Sequence, residues 1–420
     1  MADAQDIADL EDLVARFGQP VVHQNSGMLQ NLVDLSLGKE DESSEGGEDL
    51  SAPHRKPIKV ERDKAGIDVV NVEKGGTPVG SYADLSPRPA GGGRPVVQGK
   101  ARPVIVGGSL KFGLHEIEIA EGGSDSIDKL ESTLAAHGSA YGAWMARALH
   151  NPQVDEPAAD VAIGATTMTV QVSAGYLEGM EYEVRLDATG ALIGTFEVDN
   201  VALAFDLTAV ITFSSALSFG ITVATMSIYL RGQGDSTLAI GSLSDLTDST
   251  LAMYGLTTSE FPAGLERDVS GAWSKEDGKR IMSIQARQGN RPDCIVTSPV
   301  GRDFIVNEST ELVRFNEGQN NANHDPYADA QEAFFNGRPI VACEQADDTT
   351  IVFGQFNKVK LREHRPYAPK KKTGGGRGPM GGESLIASET EFAHKILFDG
   401  SYRLICPKRR AFARFINVTS

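Results

Sequence analysis

Two short motifs in this chain have the residue types of a serine nucleophile and its basic partner. Ser126 and Lys129 stand in an S-x-x-K pattern, and Lys372 to Gly374 read K-T-G. In penicillin-recognising enzymes these motifs accompany an S-D-N element, and the serine attacks the substrate. The chain has no S-D-N element, and Ser126 stands where a helix cap is expected. A serine hydrolase stays an alternative function, but we predict no catalytic residue and no enzyme.

Motifs that bind phosphate or metal ions are missing from the sequence. Gly99-Lys100 is followed by alanine and has no glycine at the upstream spacing of a phosphate loop. The eight histidines form neither H-x-x-x-H nor H-E-x-x-H, so we expect no zinc site and no cofactor. The cysteines lie in or beside apolar runs without metal-ligand spacing, which predicts buried thiols of a reducing compartment: Cys294, Cys343 and Cys406.

Charge is distributed unevenly along the chain, whose formal net charge is −17. Residues 1–50 carry twelve acidic side chains and two basic ones, whereas residues 355–420 carry fourteen basic and five acidic ones. The two ends should therefore attract each other, within one copy or between copies. Nucleic-acid phosphates are an equally good partner for the basic end. The candidate basic contacts to the acidic arm or to DNA are Lys370, Lys371, Lys372, Arg377, Arg409 and Arg410.

One uncharged stretch, residues 207–230, is long enough to be compared with a membrane span. Eight of its 24 residues are serine or threonine, and Gly220 interrupts it. A membrane-spanning helix is predominantly apolar. We therefore predict a buried β-hairpin here and no membrane partner.

The central element predicted by the sequence is one long amphipathic helix from Ser124 to Asn151. Ser124, Asp125 and Ser126 offer capping oxygens at its start, and Pro152 ends it. Apolar residues recur at spacings of three, four or seven and should face a core, while Lys129, Glu131 and Arg147 face outward. The apolar stripe comprises Ile127, Leu130, Leu134, Tyr141, Trp144, Met145 and Ala148.

Two segments before this helix have too little apolar surface to fold alone. The first is an acidic arm with apolar residues at helical spacing up to Phe17, a second apolar patch around Leu32 and a run at residues 38–49 that cannot bury enough surface to fold alone. A disordered acidic tail is the alternative. The second, residues 58–120, has strand-like ends and a Pro- and Gly-rich tip at residues 86–95. An isolated two-stranded ribbon is marginally stable, so neighbouring copies should support it. The candidate inter-subunit contacts are Phe17, Leu32, Arg88, Arg94, Lys100 and Arg102.

After the helix, the pattern predicts an all-β unit and then a mixed region. Residues 159–231 show strands of period two separated by glycines, as in a small sandwich or barrel inserted in a larger domain. The mixed region should contain two helices, from Ser274 to about Arg287 and from Pro299 to about Asn307. Its predicted strands are Cys294–Thr297, Pro339–Cys343, Thr349–Phe353, Phe392–Phe398 and Tyr402–Cys406.

The order of these elements resembles the major capsid protein of tailed bacteriophages, with the Hong Kong 97-type fold. Three local stretches carry the resemblance: P-D-C-I-V-T-S-P at residues 292–299, F-N-G-R-P-I-V at 335–341, and T-T-I-V-F-G-Q-F at 349–356. They are similar to the family's buried strand ending in Ser-Pro, its "G-x-P-(I/V)-V" strand and its "VG-x-F" turn. The resemblance implies an α+β capsid fold with an inserted all-β domain.

The resemblance also implies a division of the chain and a function. The parts would be an N-terminal arm (1–57), an E-loop (58–120), a peripheral domain (121–153 and 351–396), the inserted β domain (155–232) and an axial domain (236–350 and 397–420). Hexamers and pentamers would close into an icosahedral head around double-stranded DNA, in a virion assembled in the host cytoplasm. A separate scaffolding protein and a portal are implied partners, and the sequence leaves a decoration protein open. The alternative is an encapsulin-type compartment.

Overall fold

A computed structural model describes residues 33–34, 58–62, 68–73, 96–113, 125–170, 175–204, 208–235, 238–308, 333–369, 385–387 and 393–419. Most of the predicted acidic arm, the ribbon tip at 86–95 and the basic residues from 370 to 377 lie outside these residues. Among the described helices, none combines the length and apolarity needed to cross a membrane.

The predicted long helix is present as α1, Asp125–His150. Its apolar stripe packs against a sheet, with Leu134 and Met145 fully buried. The ring of Tyr141 stacks on Tyr367 of that sheet at a centroid distance of 4.0 Å. One prediction for this helix is wrong: Arg147 does not face outward but is completely buried.

The sheet under α1 has six strands, and most of it comes from distant parts of the chain. β2 (Ile58–Arg62) pairs in parallel with both β1 (Val33–Asp34) and β17 (Lys360–Pro369). β5 (Val104–Gly113) lies along the edge of β19 (Ala393–Ile405) that is opposite to β17. β19 runs unbroken where the sequence predicted two strands, because β5 pairs with it continuously from residue 393 to residue 402. The strands are β1 (Val33–Asp34), β2 (Ile58–Arg62), β5 (Val104–Gly113), β17 (Lys360–Pro369), β18 (Leu385–Ala387) and β19 (Ala393–Ile405).

A second six-stranded sheet forms the mixed region, in the order β12-β20-β16-β13-β15-β14. Its strands are β12 (Leu265–Ala272), β13 (Cys294–Thr297), β14 (Ala333–Phe335), β15 (Arg338–Ala342), β16 (Ile351–Gly354) and β20 (Phe412–Thr419). Both predicted helices are present, as α3 (Lys275–Arg287) and α4 (Pro299–Glu308). The side chain of Ser274 caps α3 by accepting from the Asp277 amide at 3.2 Å.

Sheet membership shifts two of the domain boundaries that the resemblance implied. β16 belongs to this second sheet, because it pairs with β13 and β20. Residues 397–405 belong instead to the first sheet, as part of β19. Hydrogen bonds between strands decide both assignments. A division of the chain by residue number does not take these bonds into account.

Six strands between Gln153 and Leu230 pair with one another and form an all-β unit, which we call the β unit. They are β6 (Gln153–Val154), β7 (Thr167–Val170), β8 (Glu181–Leu186), β9 (Leu192–Leu203), β10 (Ala209–Phe213) and β11 (Met226–Leu230). β9 joins two small sheets, since its first half pairs with β8 and its second half with β10. The predicted hairpin at 207–230 is wrong, because β10 and β11 lie in different halves of the unit and do not pair.

The remaining described elements are a short ribbon and a short helix. The ribbon is an antiparallel pair, β3 (Asp68–Glu73) and β4 (Val96–Ala101). The helix is α2, Leu243–Thr247, with a capping box at Ser242. One hydrophobic core runs through α1, the first sheet, the ribbon and the β unit, and a second core lies at the second sheet.

Candidate assembly surfaces

The base of the ribbon rests on its own subunit. Gly99 of β4 faces Tyr254, where an added Cβ would lie 2.8 Å from the Tyr254 Cβ. The amide of Lys100 donates to the Tyr254 carbonyl at 2.9 Å. On β3, Val70 and Val72 are buried. The sequence predicted that neighbouring copies alone would support this segment, and for the base of the ribbon that prediction is wrong.

Ion pairs fix the same base to the first sheet. Asp68, the first residue of β3, is almost fully buried and contacts His364 at 3.1 Å and Arg362 at 3.7 Å. Arg362 also pairs with Glu61 of β2 at 3.1 Å. Both partners of Asp68 lie on β17, so these contacts join the start of β3 to the first sheet.

The opposite face of the ribbon is open. Val69 is 55% exposed, and Asn71, Gln98 and Lys100 are exposed beside it. Two predicted contact residues, Lys100 and Arg102, are therefore at the surface of the ribbon. The other four, Phe17, Leu32, Arg88 and Arg94, lie outside the described residues.

Arg409 is not a surface contact, which corrects the prediction from the sequence. Its side chain is buried, and its guanidinium lies 5.6 Å from the centre of the Phe261 ring. The guanidinium donates hydrogen bonds to five backbone carbonyls around α2. Its donors are therefore used inside the subunit and are not available to the acidic arm or DNA. These acceptors are the oxygens of Leu246 at 3.2 Å, Leu251 at 2.9 Å, Phe261 at 3.2 Å, Asp245 at 2.6 Å and Asp248.

Arg410, the next residue, is exposed. It is the one described residue of the predicted basic set that remains available to an acidic partner. Lys370, Lys371, Lys372 and Arg377 lie outside the described residues, so their role as basic contacts stays a prediction.

A buried polar cluster joins α1, the β unit and the loop before β16. Arg147 donates to the carbonyl of Gln153 at 2.8 Å. Asn151 donates to the Asp347 carboxylate at 3.2 Å, and the Asp347 amide donates to Nδ1 of His150 at 3.4 Å. Asp155 lies near the same groups. We call these five residues, Arg147, His150, Asn151, Asp155 and Asp347, the junction cluster.

Burial shifts the pKa values in the junction cluster in different directions. It lowers the pKa of His150 to about 3, so the ring is neutral near pH 7. It raises the pKa of Asp155 to about 8, with a further contribution from the charge of Asp347. Burial also acts to raise the pKa of Asp347, but Arg147 and the hydrogen bonds from Thr349 outweigh it and hold that pKa below its ordinary value. The cluster therefore holds one carboxylate charged and one protonated.

Asp155→Asn should flatten the pH dependence of subunit stability. An acid whose pKa is raised on folding stabilises the fold below its unfolded pKa, and this stabilisation is lost as the pH rises through its folded pKa. The free energy of unfolding of the parent should therefore fall between about pH 4 and about pH 8. Asparagine stays neutral at every pH. The free energy of unfolding of the variant should therefore fall by about 2–4 kcal/mol less than that of the parent over this pH range. Urea unfolding at a series of pH values measures the difference.

Asp199→Asn provides the matched control, because Asp199 is exposed on β9. It should leave the pH profile of the parent unchanged. If Asp155→Asn followed the parent profile as well, Asp155 would not be protonated in the folded subunit.

The three cysteines are free and buried, as predicted. Burial raises the pKa of Cys406 to about 12 and also raises the pKa of Cys294 and of Cys343, so these thiols stay protonated. In the part of the chain that the structure describes, no group of three or more His, Cys, Asp or Glu side chains is placed to hold a metal ion.

Sequence reasoning did not identify Tyr254 as an assembly residue. Its carbonyl accepts from β4, while its hydroxyl donates to the Leu404 carbonyl at 3.0 Å and accepts from the Cys406 amide at 3.0 Å. It therefore ties the ribbon to the end of β19. The Tyr254-Gly255 pair, with φ of 56° and 73°, carries a turn signal, but nothing local indicates which segments the turn joins.

The described sheets and helices form an α+β fold, and solved structures similar to the chain include phage and related capsids. They include the capsid of a native GTA particle (9% identity, 92% of this chain and 96% of that one, TM-score 0.46). The cyanophage A-1(L) capsid is 10% identical over 86% and 90% of the two chains, with a TM-score of 0.49.

A virus-like particle from Pyrococcus furiosus is 8% identical over 94% and 97% of the chains, with a TM-score of 0.39. No family model and no curated protein matches the chain. Two of these three structures are capsids and the third is a virus-like particle. At identities of 8–10% they assign no role to any single residue.

Proposed function

We propose that this chain is the major subunit of an icosahedral phage head and that it assembles into hexamers and pentamers around double-stranded DNA. Its partners would be further copies of itself, the packaged DNA bound without sequence specificity, and a separate scaffolding protein and portal. Assembly would take place in the cytoplasm of the host bacterium, and the mature subunit would belong to the virion.

The observation that carries this proposal is the ribbon. β3 and β4 form a sheet of two strands, one face of which is anchored on Tyr254 while the other exposes Val69. Two-stranded ribbons gain little stability by themselves. An anchored base whose open face exposes Val69 beside polar side chains is suited to a contact that a second subunit completes, and a closed shell repeats such a contact at every subunit.

Electron microscopy of the expressed protein tests this function. Closed particles with icosahedral symmetry are expected when the chain is produced with the scaffolding protein of the same phage. A protein that remains monomeric at high concentration, with and without scaffold, would contradict the proposal. Particles that contain a protein cargo and no nucleic acid would instead indicate an encapsulin-type compartment.

Gly99→Ala should impair assembly through the base of the ribbon. The added Cβ would meet the Cβ of Tyr254 at 2.8 Å and its carbonyl oxygen at 3.2 Å, so β4 has to move outward. Overpacking of this kind costs about 1–3 kcal/mol in the subunit. We expect shell yield to fall further than that loss explains, because every inter-subunit contact of the ribbon is displaced together.

Gln98→Ala is the control, since Gln98 is exposed on the other face of β4. It should change neither the urea midpoint of the subunit nor the packing of Gly99 on Tyr254. Normal shell yield from Gly99→Ala, measured by sedimentation, would show that the position of the ribbon base does not matter for assembly.

A further inference from the structure

One end of the second sheet gathers basic residues from four separate segments of the chain. β13, β15 and β20 begin at this end and β16 ends there, because β16 runs antiparallel to β13 and β20 while β15 runs parallel to β13. Four of these basic residues are exposed, and Arg338 is half-buried. We call the five residues the basic patch: Arg287 and Arg291 before β13, Arg338 at the start of β15, Lys358 after β16 and Arg410 before β20.

Hydrogen bonds hold the segments of the basic patch together. The side-chain amide of Asn290 donates to the carbonyl of Arg410 at 3.1 Å, although the two residues are 120 positions apart. The side-chain amide of Gln355 donates to the carbonyl of Arg291 at 3.0 Å. The fold therefore brings together backbone segments whose basic side chains the sequence keeps apart.

Little negative charge balances the basic patch. Its segments contain seven Lys and Arg residues and one acid, Asp293; they are residues 286–293, 336–339, 354–359 and 407–411. Asp293 is only 9% exposed. Its carboxylate accepts from the backbone amides of Phe356 at 2.9 Å and Asn357 at 3.2 Å. The surface at this end of the sheet is therefore strongly positive, on a chain whose formal net charge is −17.

Two arginines of the basic patch lie close enough to repel each other. Partial burial lowers the pKa of Arg338, and the charge of Arg291 lowers it further. By contrast, Arg267 of β12 in the same sheet pairs with Asp277 at 2.9 Å. An anion bound at the basic patch would supply the compensation that Arg267 already has.

The amino-terminal part of the chain joins the first sheet beside the basic patch. β1, β2 and β17 are parallel, with Val33 opposite Ile58 and Lys59 opposite Lys360. Two strand spacings of about 4.8 Å put Val33 about 10 Å from the start of β17. Lys358 stands two residues before that start. Residues 1–32 therefore lead into the described chain at the end of the first sheet where the patch lies.

The composition of residues 1–32 complements the basic patch. This segment carries five acids and one arginine, Arg16; the acids are Asp3, Asp6, Asp9, Glu11 and Asp12. Asp12, the nearest of them to β1, is 21 positions from Val33. A chain of that length spans up to about 70 Å. The carboxylates can therefore reach the patch without leaving their own subunit.

We propose that the basic patch binds the acidic amino-terminal segment, residues 1–32, of the same subunit. Charge selects an acidic partner, because carboxylates compensate cations that otherwise repel one another. The position of Val33 selects this segment, since a tethered partner binds at a higher effective concentration than a free one. The segment thereby competes with nucleic-acid phosphates for the patch. This inference goes beyond the proposed function and concerns the free subunit.

Carbodiimide cross-linking of the full-length free subunit tests the contact, because the reagent joins a lysine amine only to a carboxylate that touches it. Lys358 should become linked to an acid between residues 3 and 12, in a yield that does not depend on protein concentration. Raising the salt concentration should lower that yield, since salt screens exposed charges. The internal positive control is Lys360, which contacts Glu61 in the subunit.

A double charge reversal identifies the basic patch as the binding surface. Arg291→Glu combined with Arg410→Glu should lower the yield of the Lys358 cross-link about tenfold or more. The matched control is Arg102→Glu combined with Arg231→Glu, which makes the same change of charge at exposed positions elsewhere. It should leave the cross-link unchanged. Both double variants should keep the melting temperature of the parent, because all four side chains are exposed.

Binding of a short double-stranded DNA to the free subunit provides an independent measurement. The triple variant Asp6→Asn, Asp9→Asn, Asp12→Asn should bind DNA about tenfold or more tightly than the parent, because the phosphates then meet less competition for the patch. Glu40→Gln, Asp41→Asn, Glu42→Gln removes the same charge from the second acidic run and should strengthen binding by less than about threefold. Adding Arg291→Glu and Arg410→Glu to the first triple variant should abolish its gain.

Four results would overturn the inference while leaving the proposed function intact. The first is a subunit in which Lys360 becomes linked to Glu61 but Lys358 to no acid. The second is a link from Lys358 only to residues 40–49, which would mean that the other acidic run occupies the patch. The third is a yield that rises with protein concentration, because the segment would then come from another copy. The fourth is equal DNA binding by the two triple variants.

Discussion

Arg409→Met is expected to destabilise the free subunit by about 3–5 kcal/mol. The substitution keeps much of the side-chain volume but removes the guanidinium donors from five backbone carbonyls, of which that of Leu246 still accepts from the Gly264 amide at 2.9 Å. Buried acceptors without a donor cost about 1–3 kcal/mol each when no water reaches them. Since whole domains are stable by only about 5–15 kcal/mol, a large part of the subunit's stability should be lost. Urea unfolding followed by circular dichroism measures the change.

Two further variants make this expectation specific. Arg410→Met changes the exposed neighbour and should shift the unfolding free energy by no more than about 0.5 kcal/mol. Arg409→Lys keeps the charge and up to three donors, so it should be destabilised less than the methionine variant. If Arg409→Met and Arg410→Met behaved alike, the two arginines would be equivalent surface groups, as the sequence alone suggested.

Arg147→Met should lower the free energy of unfolding by about as much as Arg409→Met, but for a different reason. Arg147 compensates the carboxylate of Asp347 inside the junction cluster, and Asp347 is itself only 7% exposed. Removing the buried positive charge leaves the Asp347 carboxylate without that compensation, and an uncompensated buried charge costs about 3–5 kcal/mol. The expected result is a fall in the urea midpoint of the subunit, with a loss of cooperativity between the β unit and α1.

The pH dependence of the unfolding free energy tests whether the Asp347 carboxylate causes the loss in Arg147→Met. The pKa of Asp347 is lowered in the parent, so its stabilising contribution is present above its unfolded pKa and is lost as the pH falls through the folded value. Without Arg147 the carboxylate protonates more easily, and the difference between parent and variant should shrink below about pH 4. The double variant with Asp347→Asn and Arg147→Met should recover part of the unfolding free energy that Arg147→Met loses.

Arg231→Met is the matched control for Arg147→Met. Arg231 pairs with Glu181 at the surface, where their side chains are 55% and 47% exposed. Exposed ion pairs contribute about 0–1 kcal/mol. A loss from Arg231→Met as large as that from Arg147→Met would contradict the role of the junction cluster.

Local patterns in the sequence were sufficient for most helices and for several strands. The period of the apolar residues and the caps predicted α1 to within a residue at each end, and Ser274 and Pro299 marked the starts of α3 and α4. Asn336-Gly337, a common turn pair, forms the turn between β14 and β15, where both residues have positive φ. These features depend on neighbours within a few residues, so the linear sequence contains them.

Predictions that depended on contacts between residues far apart in the sequence were less accurate. The stretch from residue 207 to residue 230 was expected to form one hairpin, but its two strands pair with different halves of the β unit. Tyr254 and the junction cluster bring together residues separated by about 150 to 200 positions. No local spacing indicates such contacts, because they arise only when separate elements pack.

The sequence by itself determined the order of the elements, the acidic and basic ends of the chain, the apolar stripe of α1 and the burial of the three cysteines. Tertiary structure alone decided which charges are available at the surface. Arg409 and Arg410 are adjacent and chemically identical, yet one is enclosed by backbone carbonyls around α2 and the other is exposed. Charge type is a property of a residue, whereas its hydration depends on what the fold places around it, and this decides whether a basic side chain stabilises the subunit or meets a partner.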